Sequence, residues 1–171
     1  MSNNNKSLTF AVCETCLGWM GVIGSPAGLK AVILPLKSKK DLLEQIAAMG
    51  CKPENYNSDY LTDLTDRLRR YFNGETEDFP LKLDLAGTTR FQQSVWQVVR
   101  KIPRGETRNY GWVAKQVGSP RAARAVGQAL ARNPVPIVIP CHRVISGDGK
   151  LGGFGGGLEV KKFLLDLEQR A

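Results

Sequence analysis

Cys141 stands directly before His142, which is the only histidine in the chain. A thiol has a pKa of about 8.5, so nucleophilic work at neutral pH needs a group that favours the thiolate. An imidazole can accept the thiol proton, and a carboxylate can hold that imidazole in the required tautomer. Neighbouring side chains of an extended chain point to opposite faces. The two residues can therefore contact each other directly only at a turn, and otherwise interact through a bridging water. The pair indicates nucleophilic cysteine chemistry, with a buried, inert thiol as the alternative.

The charge of the chain is asymmetric. The net charge is +8, but residues 1–87 carry ten Lys and Arg against eleven Asp and Glu, whereas residues 88–171 carry fourteen against five. Nine of the basic residues lie within 90–132, where Glu106 is the one acid. Such a localised positive field favours a polyanion such as nucleic acid, and the alternative is a solvated basic face without a specific partner.

The composition is typical of a globular protein. The chain has 171 residues, of which 42% are hydrophobic and 23% are charged, enough for one domain or two small ones with an apolar core. No apolar run reaches the roughly 20 residues that span a bilayer, and the polar start lacks the apolar stretch of a secretory signal. We therefore predict no membrane association and a cytoplasmic location, close to the nucleoid in a prokaryote, or a nuclear one in a eukaryote.

The remaining cysteines predict neither disulfides nor a metal site. Four cysteines in a chain of this length, without an export signal, do not make a disulfide framework. Cys13 and Cys16 form a C-x-x-C pair, but no histidine accompanies them or Cys51, and such a pair alone is a weak zinc motif. The G-x-G-x-x-G match at 147–152 is followed by glycines instead of a helix, which excludes a dinucleotide site. We predict no metal and no cofactor.

Residues 1–87 are predicted to form an N-terminal α/β domain. Three short apolar runs separated by turn residues predict an antiparallel meander, and two stretches with helical spacing follow. The runs are Leu8–Cys13, Gly18–Ile23 and Leu29–Leu34, and the helical stretches are Asp41–Met49 and Leu61–Phe72.

Residues 88–171 are predicted to form a mostly helical domain. Thr89 is placed to cap a first helix, and the turn Gly118-Ser119-Pro120 joins the next two into a helix-turn-helix, with Ser119 as the cap and Pro120 at the first helical position. An apolar run after the following Pro-rich break predicts a buried strand, and an amphipathic helix closes the chain. The helices are Arg90–Lys101, Tyr110–Val117, Arg121–Arg132 and Leu158–Glu168, and the strand is Ile137–Ile139. The whole predicts an α+β fold.

The third of these helices has an unusual surface. Its small residues would let the backbone approach another surface closely, and beyond Arg124 and Gln128 few of its side chains could read base edges. We therefore predict sequence-tolerant DNA binding in the minor groove, or alternatively a small-residue stripe that packs in the core. The small residues are Ala122, Ala123, Ala125, Gly127 and Ala129, and the cationic ones are Arg121, Arg124 and Arg132.

The segment Ile139-Pro140-Cys141-His142-Arg143-Val144 resembles the active-site signature of the O6-alkylguanine-DNA alkyltransferases, also called methylated-DNA–protein-cysteine methyltransferases. The resemblance covers about 88–171, and residues 1–87 fit the family's N-terminal domain only in layout. It implies a ribonuclease H-like N-terminal domain with a small antiparallel sheet and a winged-helix-like C-terminal domain. Other matching segments are Val95-Trp96, Ile102–Thr107, Tyr110, Ala125–Gly127, Asn133-Pro134, Gly152–Phe154 and the helix from Lys161 to Glu168.

The resemblance implies a role for each residue of the catalytic group. Cys141 would be the nucleophile and alkyl acceptor, His142 would take the thiol proton through a bound water, and Glu168 would hydrogen-bond the imidazole. Asn133 would tie the turn after the recognition helix to the active-site segment. Tyr110 would help to rotate the target nucleotide and would supply a proton toward the departing guanine.

The resemblance also implies how damaged DNA is held. Arg124 would fill the space left by the flipped base, with an ordinary phosphate contact as its alternative role. Where the family often has Tyr-Ser, this chain has Phe154-Gly155, so a hydroxyl contact is lost and Gly155 offers only its N–H. Further DNA contacts would come from Tyr110, Arg121, Ala122, Ala123, Gly127, Gln128 and Arg132, and the guanine pocket from Tyr110, Pro136, Val144, Phe154 and Gly155.

The implied activity is single-turnover DNA repair. The protein would bind double-stranded DNA carrying O6-alkylguanine, flip the base, and move the alkyl group irreversibly to its own cysteine, with O4-alkylthymine as a further substrate. We expect a monomer in solution and leave cooperative binding along DNA open. The alternatives are a non-enzymatic sensor of alkylation damage, a helix-turn-helix regulator and a cysteine hydrolase, of which the sensors lack the reactive cysteine.

Overall fold

The computed structural model describes residues 8–56 and 59–170. The chain divides into two compact units, Met1–Asp84 and Leu85–Ala171. The first combines a three-stranded sheet with helices, and the second consists mainly of helices. The predicted α+β class is thereby confirmed. Within the described ranges, no helix is long and apolar enough to cross a membrane.

An antiparallel meander lies at the centre of the first unit. Its strands are β1 (Thr9–Thr15), β2 (Gly18–Ser25) and β3 (Gly28–Leu36), and they pair in that order. Both turns end on a glycine with a positive φ, 124° at Gly18 and 142° at Gly28, a conformation that residues with a Cβ rarely adopt. The three apolar runs therefore predicted the sheet correctly.

Two helices pack on this sheet and complete the first core. Helix α1 (Lys39–Ala48) begins at Ser38, whose hydroxyl accepts a hydrogen bond from the first turn. Helix α2 (Asp59–Phe72) has a single apolar face, as the spacing of its leucines predicted. The fully or almost fully buried residues on the two helices include Leu42, Ile46, Leu61, Leu64 and Leu68.

The described part of the second unit contains four helices and a short parallel ladder. The helices are α3 (Arg90–Val99), α4 (Tyr110–Gln116), α5 (Ala123–Ala131) and α6 (Leu158–Gln169). The ladder pairs β4 (Arg108–Asn109) with β5 (Val144–Ile145). Two-residue strands have no periodicity, so the sequence did not reveal them.

Helix α3 is held by a cap at its N-terminus and by a hydrogen bond to α5. Thr89 accepts a hydrogen bond from the Gln92 N–H, and the Gln92 side chain accepts one from the Thr89 N–H, which is a capping box. The predicted cap is thus confirmed. The indole N–H of Trp96 donates to the carbonyl of Ala129 at 3.0 Å and so joins α3 to α5.

The second helix of the helix-turn-helix begins later than predicted. Helix α5 begins at Ala123 instead of Arg121, and Ala122 stands at its N-cap without a side-chain hydrogen bond. The carbonyl of Ser119 accepts from the Ala122 N–H at 2.8 Å and closes a turn over Pro120 and Arg121. The predicted capping by Ser119 and the helical position of Pro120 are therefore wrong, because Ser119 contributes its backbone to a turn.

The segment Ile137–Ile139 is buried, but it is not a strand. The Ile139 N–H donates to the carbonyl of Val135 at 2.9 Å, and Ile137 has a φ of 74°. A positive φ is uncommon for a β-branched residue. The predicted strand is wrong because a continuous apolar run reports burial and cannot tell an extended chain from a buried turn.

Candidate active site

Asn133 closes the buried turn that leads to the cysteine. Its Nδ2 donates to the carbonyl of Ile139 at 2.9 Å, and its Oδ1 accepts from the Val135 N–H at 3.0 Å. The chain then enters a short 3-10 turn over Cys141–Arg143. Cys141 and His142 therefore lie in a turn, which is the arrangement that a direct contact between them requires.

His142 is fully buried beside Glu168 of α6. Its Nε2 lies 2.8 Å from Oε1 of Glu168, which is 3% exposed. An ionised carboxylate can only accept hydrogen bonds, so Nε2 carries the proton of the neutral imidazole. The lone pair is then on Nδ1, which is the nitrogen able to take a proton from a thiol.

Arg143 holds the same carboxylate from a second side. Its Nε donates to Oε2 of Glu168 at 2.9 Å and its Nη2 to Oε1 at 2.8 Å. Its Nη1 also donates to the carbonyl of Ile102 at 2.6 Å. A two-pronged guanidinium–carboxylate pair is stronger and more directional than a single hydrogen bond. Arg143 thus keeps Glu168 ionised and fixes its orientation toward His142.

Burial dominates the protonation of the Cys–His pair. Burial raises the pKa of the Cys141 thiol, and the hydrogen bond with Asn133 and the charge of Lys161 lower it in part. Burial lowers the pKa of His142, and its hydrogen bond with Glu168 raises it in part. The resting site therefore holds a thiol and a neutral imidazole, and the thiolate forms only when the proton is transferred.

Lys161 of α6 is completely buried within the second unit. Its Nζ donates to the carbonyl of Val144 at 2.7 Å and to the carbonyl of Gly153 at 3.2 Å. Burial lowers its pKa to about 8, and the neighbouring Cys141 thiolate would raise it in part. At neutral pH Lys161 is mainly an ammonium ion, which joins β5 to the glycine-rich loop and places positive charge near the sulfur.

A pocket of about 450 Å³ opens onto Cys141. This volume lies within the range of pockets that bind small organic molecules. Two aromatic rings face it, and glycine and alanine make up most of the remaining wall, so flat groups have room beside the sulfur. The lining residues are Tyr110, Gly127, Leu130, Ala131, Cys141, Gly153, Phe154 and Gly155.

Tyr110 begins α4 and lies between α5 and the glycine-rich loop. A methyl group at Gly127 would be 3.8 Å from its ring, and a methyl group at Gly152 would be 2.7 Å from its hydroxyl oxygen. Burial raises the pKa of the phenol, and the backbone of Gly153 lowers it in part. Tyr110 therefore keeps its proton at neutral pH and can donate it inside the pocket.

The surface of α5 is split between solvent, pocket and core. Arg124, Gln128 and Arg132 are exposed, and so is Arg121 in the turn before the helix. Ala122 and Ala123 are half-buried. Gly127 lines the pocket, and Ala129 is 3% exposed and packed in the core. The small-residue stripe thus serves the core and the pocket as well as the outer surface.

Two family models together match nearly the whole chain. Residues 90–170 match the DNA binding domain of 6-O-methylguanine DNA methyltransferase. Residues 10–85 match the ribonuclease-like domain of the same family. The chain belongs to this family.

Individual relatives agree over nearly their full length. The methylated-DNA–protein-cysteine methyltransferase of Methanosarcina acetivorans is 42% identical over 161 residues, which is 93% of this chain and 97% of that protein. The crystal structure of the Mycobacterium tuberculosis O6-methylguanine methyltransferase has a TM-score of 0.78 and 37% identity, covering 95% and 93% of the two chains. The M. tuberculosis OGT in complex with DNA has a TM-score of 0.76 and 38% identity, with the same coverage.

The structure brings most of the residues singled out by the family signature to one place. Cys141, Tyr110, Phe154 and Gly155 line one pocket, and His142, the residue after Cys141, contacts Glu168. Pro136 and Val144 are buried and are not among the pocket's lining residues in the described chain. The carbonyl of Val144 accepts from Lys161, so its position depends on that lysine.

Sequence reasoning missed several contributors to the site. Arg143 and Lys161 belong to the motifs that carried the resemblance, but no role was assigned to them. Leu130 and Ala131 line the pocket without any distinctive sequence signal, and Gly153 lies in a matching segment but was given no role. For Lys161 a signal existed, because it is a lone cation on the apolar side of an amphipathic helix. Within residues 8–56 and 59–170, no group of His, Cys, Asp and Glu is arranged to hold a metal ion.

Proposed function

We propose that this chain repairs DNA by moving the alkyl group of O6-alkylguanine onto Sγ of Cys141. The observation that carries the proposal is the buried Cys141–His142–Glu168 arrangement, in which Cys141 lines a pocket large enough for a base. The relatives named as methylated-DNA–protein-cysteine methyltransferases support it. Double-stranded DNA carrying the lesion is the partner, and O4-alkylthymine is a further substrate of the same chemistry.

Proton transfer begins the reaction. Nδ1 of His142 takes the thiol proton through a bridging water, and Glu168 stabilises the resulting imidazolium at Nε2. The ammonium of Lys161 and the side chain of Asn133 stabilise the sulfur anion in the meantime, since both lower the pKa of Cys141. Because burial raises that pKa, the anion is reactive when it forms and has little water around it.

Alkyl transfer is a single in-line displacement. The Sγ–carbon bond forms while the carbon–O6 bond breaks, and the bonding electrons leave with the guanine. Tyr110 donates its proton to the departing base, which leaves as neutral guanine, and the proton that His142 took from the thiol afterwards restores the phenol. The product is a thioether, which has no easy leaving route, so each molecule acts once.

The target base must leave the double helix to reach this site. Cys141 is 8% exposed and lines a pocket, so a stacked base cannot approach it. Unstacking costs a few kcal/mol, which contacts in the pocket and a side chain inserted into the gap offset. We assign that insertion to Arg124, with helix α5 in the minor groove and Arg121, Gln128 and Arg132 on nearby phosphates and sugars. A monomer suffices, because one unit supplies all of these groups.

The direct test is intact-mass analysis after mixing the protein with a duplex oligonucleotide containing one O6-methylguanine. We expect one added methyl group per protein molecule, on the peptide that contains Cys141, and no further lesion repaired after one equivalent. A duplex with unmodified guanine is the control and should leave the mass unchanged. Multiple turnovers would indicate a hydrolase, and binding without a mass change would indicate a damage sensor.

Replacing Arg124 with alanine should impair repair in duplex DNA. We expect single-turnover repair to slow by about 10-fold or more, because the gap left by the flipped base is no longer filled. Repair of a short single-stranded oligonucleotide should change far less, because a single strand has no double-helical stack and so leaves no gap for Arg124 to fill. The measurement is the rate of lesion loss with protein in excess.

The matched control is Lys162→Ala, which removes an exposed cation on α6 that pairs with Asp166. It should alter duplex repair by no more than about twofold, as expected for a lost surface charge. Equal rates for Arg124→Ala and Lys162→Ala on the duplex would refute the assignment of Arg124 to the gap.

A further inference from the structure

The glycine-rich loop approaches Tyr110 more closely than any side chain would allow. Gly152 has a φ of 71°, and a methyl group at its position would lie 2.7 Å from the Tyr110 hydroxyl oxygen and 3.1 Å from Cε2. The same methyl group would lie 3.2 Å from Oγ of Ser146. The first distance is too short for any stable contact, so an alanine here would have to displace the phenol.

Gly153, the next residue, interacts with both Tyr110 and Lys161. The backbone of Gly153 lowers the pKa of the Tyr110 phenol, and the carbonyl of Gly153 accepts from the buried Lys161 at 3.2 Å. The peptide at 153 is therefore held between the phenol and the ammonium, and both Tyr110 and Gly153 line the pocket above Cys141. The absence of a side chain at Gly152 is what lets the Tyr110 hydroxyl lie this close to the loop.

Other loop glycines lack this relationship. Gly149 and Gly157 also have a positive φ, 81° and 89°, but a methyl group at either would meet no atom within 4 Å. At these two positions the positive φ alone explains why the residue is glycine, because no neighbouring atom restricts the space for a side chain. At Gly152 the conformation and the contact with Tyr110 coincide.

We infer that Gly152 is a positioning residue for alkyl transfer, which sets the place of the Tyr110 hydroxyl at the pocket wall. The inference rests on the proposed function, in which Tyr110 gives its proton to the departing guanine. A side chain at 152 moves that hydroxyl away from the loop and out of line with the leaving base. The chemical step then suffers more than the binding of DNA, because Gly152 is not on the exposed face of α5.

The experiment compares Gly152→Ala with Gly149→Ala in single-turnover repair of an O6-methylguanine duplex, over a range of protein concentrations. Both variants place a Cβ at a positive φ in the same loop, so the difference between them reports the contact with Tyr110. We expect the saturating rate of Gly152→Ala to fall about 10- to 100-fold, the size associated with a misplaced catalytic group. Its Kd for the duplex should stay within about twofold, and Gly149→Ala should match the wild type.

Testing Gly152→Ala in a Tyr110→Phe protein separates an effect on the hydroxyl from a general disturbance of the fold. In a Tyr110→Phe protein the hydroxyl is gone, so Gly152→Ala should cost little more, about twofold, and the two losses should fail to add. Thermal unfolding of each variant checks folding, and a loss of folded protein in Gly152→Ala should be recovered in the double variant.

Each outcome points to one conclusion. An inactive wild-type protein would refute the proposed function itself. A reactive wild type with equal rates for Gly152→Ala and Gly149→Ala would overturn the role of Gly152 and leave the function standing. Additive losses in the Tyr110→Phe background would also overturn it, because the effect of Gly152 would then not pass through the hydroxyl.

Discussion

Replacing Cys141 with serine should abolish alkyl transfer while leaving damaged DNA bound. We expect the rate to fall at least about 10³-fold, as is typical when a nucleophile is removed, because a buried hydroxyl does not ionise beside a neutral imidazole. The pocket keeps its shape, since sulfur and oxygen differ little in size. The measurement is intact mass after prolonged incubation with an O6-methylguanine duplex, together with a binding isotherm for the same duplex.

The matched control for this variant is Cys16→Ser. Cys16 is an exposed thiol in the first unit, so its loss should leave both transfer and binding unchanged. Modified mass in Cys141→Ser at the wild-type rate would place the acceptor on another residue. The loss of transfer in Cys16→Ser as well would point to oxidation or misfolding instead of chemistry at one sulfur.

Local rules predicted those elements whose signals are themselves local. The capping box of α3 needs only Thr89 and Gln92, three residues apart, and both hydrogen bonds form. The leucines of α2 repeat at helical spacing and are all buried. In these cases the residues that determine the structure are neighbours in the chain, so the sequence carries the whole signal.

The errors arose where a distant or backbone group decides the conformation. Ile137 takes a positive φ within a turn that Asn133 closes through the carbonyl of Ile139, and no residue of the apolar run itself predicts this turn. Ser119 has a side chain that is typical of a helix cap, but it is its carbonyl that accepts the hydrogen bond from the Ala122 N–H. Side-chain type alone cannot decide between these two uses of a serine.

The sequence predicted the nucleophile of the candidate site, but it predicted the residues that position and charge the site less well. Cys141 and His142 are adjacent, and the carboxylate was assigned to Glu168 only through the family resemblance. The distances of Arg143 and His142 to Glu168 depend on how α6 folds back over the 3-10 turn, which no spacing encodes. Lys161 contradicts the general expectation that lysine is exposed, and its two carbonyl partners become visible only in three dimensions.

Replacing Glu168 with glutamine should have the second-largest effect, on stability and on chemistry together. The carboxylate accepts a hydrogen bond from His142 and is held by two from Arg143. In either orientation of the glutamine amide, its NH2 group faces an N–H of Arg143, and the guanidinium is left without a counter-charge. Breaking one side of a buried ion pair costs about 3–5 kcal/mol.

The same change weakens the base. Glu168 raises the pKa of His142 through its hydrogen bond and its charge, against the lowering by burial. Without the carboxylate that pKa falls further, and the imidazolium formed during transfer is no longer neutralised. We expect single-turnover repair to slow by about 10²-fold. The matched control is Asp166→Asn on the same helix, whose exposed pair with Lys162 should be worth less than about 1 kcal/mol.

Acid should destabilise the wild-type protein through His142, and the sign follows from its lowered pKa. The unfolded chain binds a proton at His142 near pH 6.5, whereas the folded chain resists it until a lower pH. The free energy of unfolding therefore falls as the pH drops below about 6.5 and levels off once the folded state also binds the proton. In Glu168→Gln the levelling should move to still lower pH, which denaturant melts at stepped pH values would record.

A double variant separates the two roles of Glu168. Arg143→Met in the Glu168→Gln background removes the unbalanced guanidinium, so part of the lost stability, more than about 1 kcal/mol, should return. Transfer should stay slow, because His142 still lacks its charged partner. Recovery of the rate along with the stability would mean that Glu168 acts only through folding, and His142 would then need no carboxylate to accept the proton of Cys141.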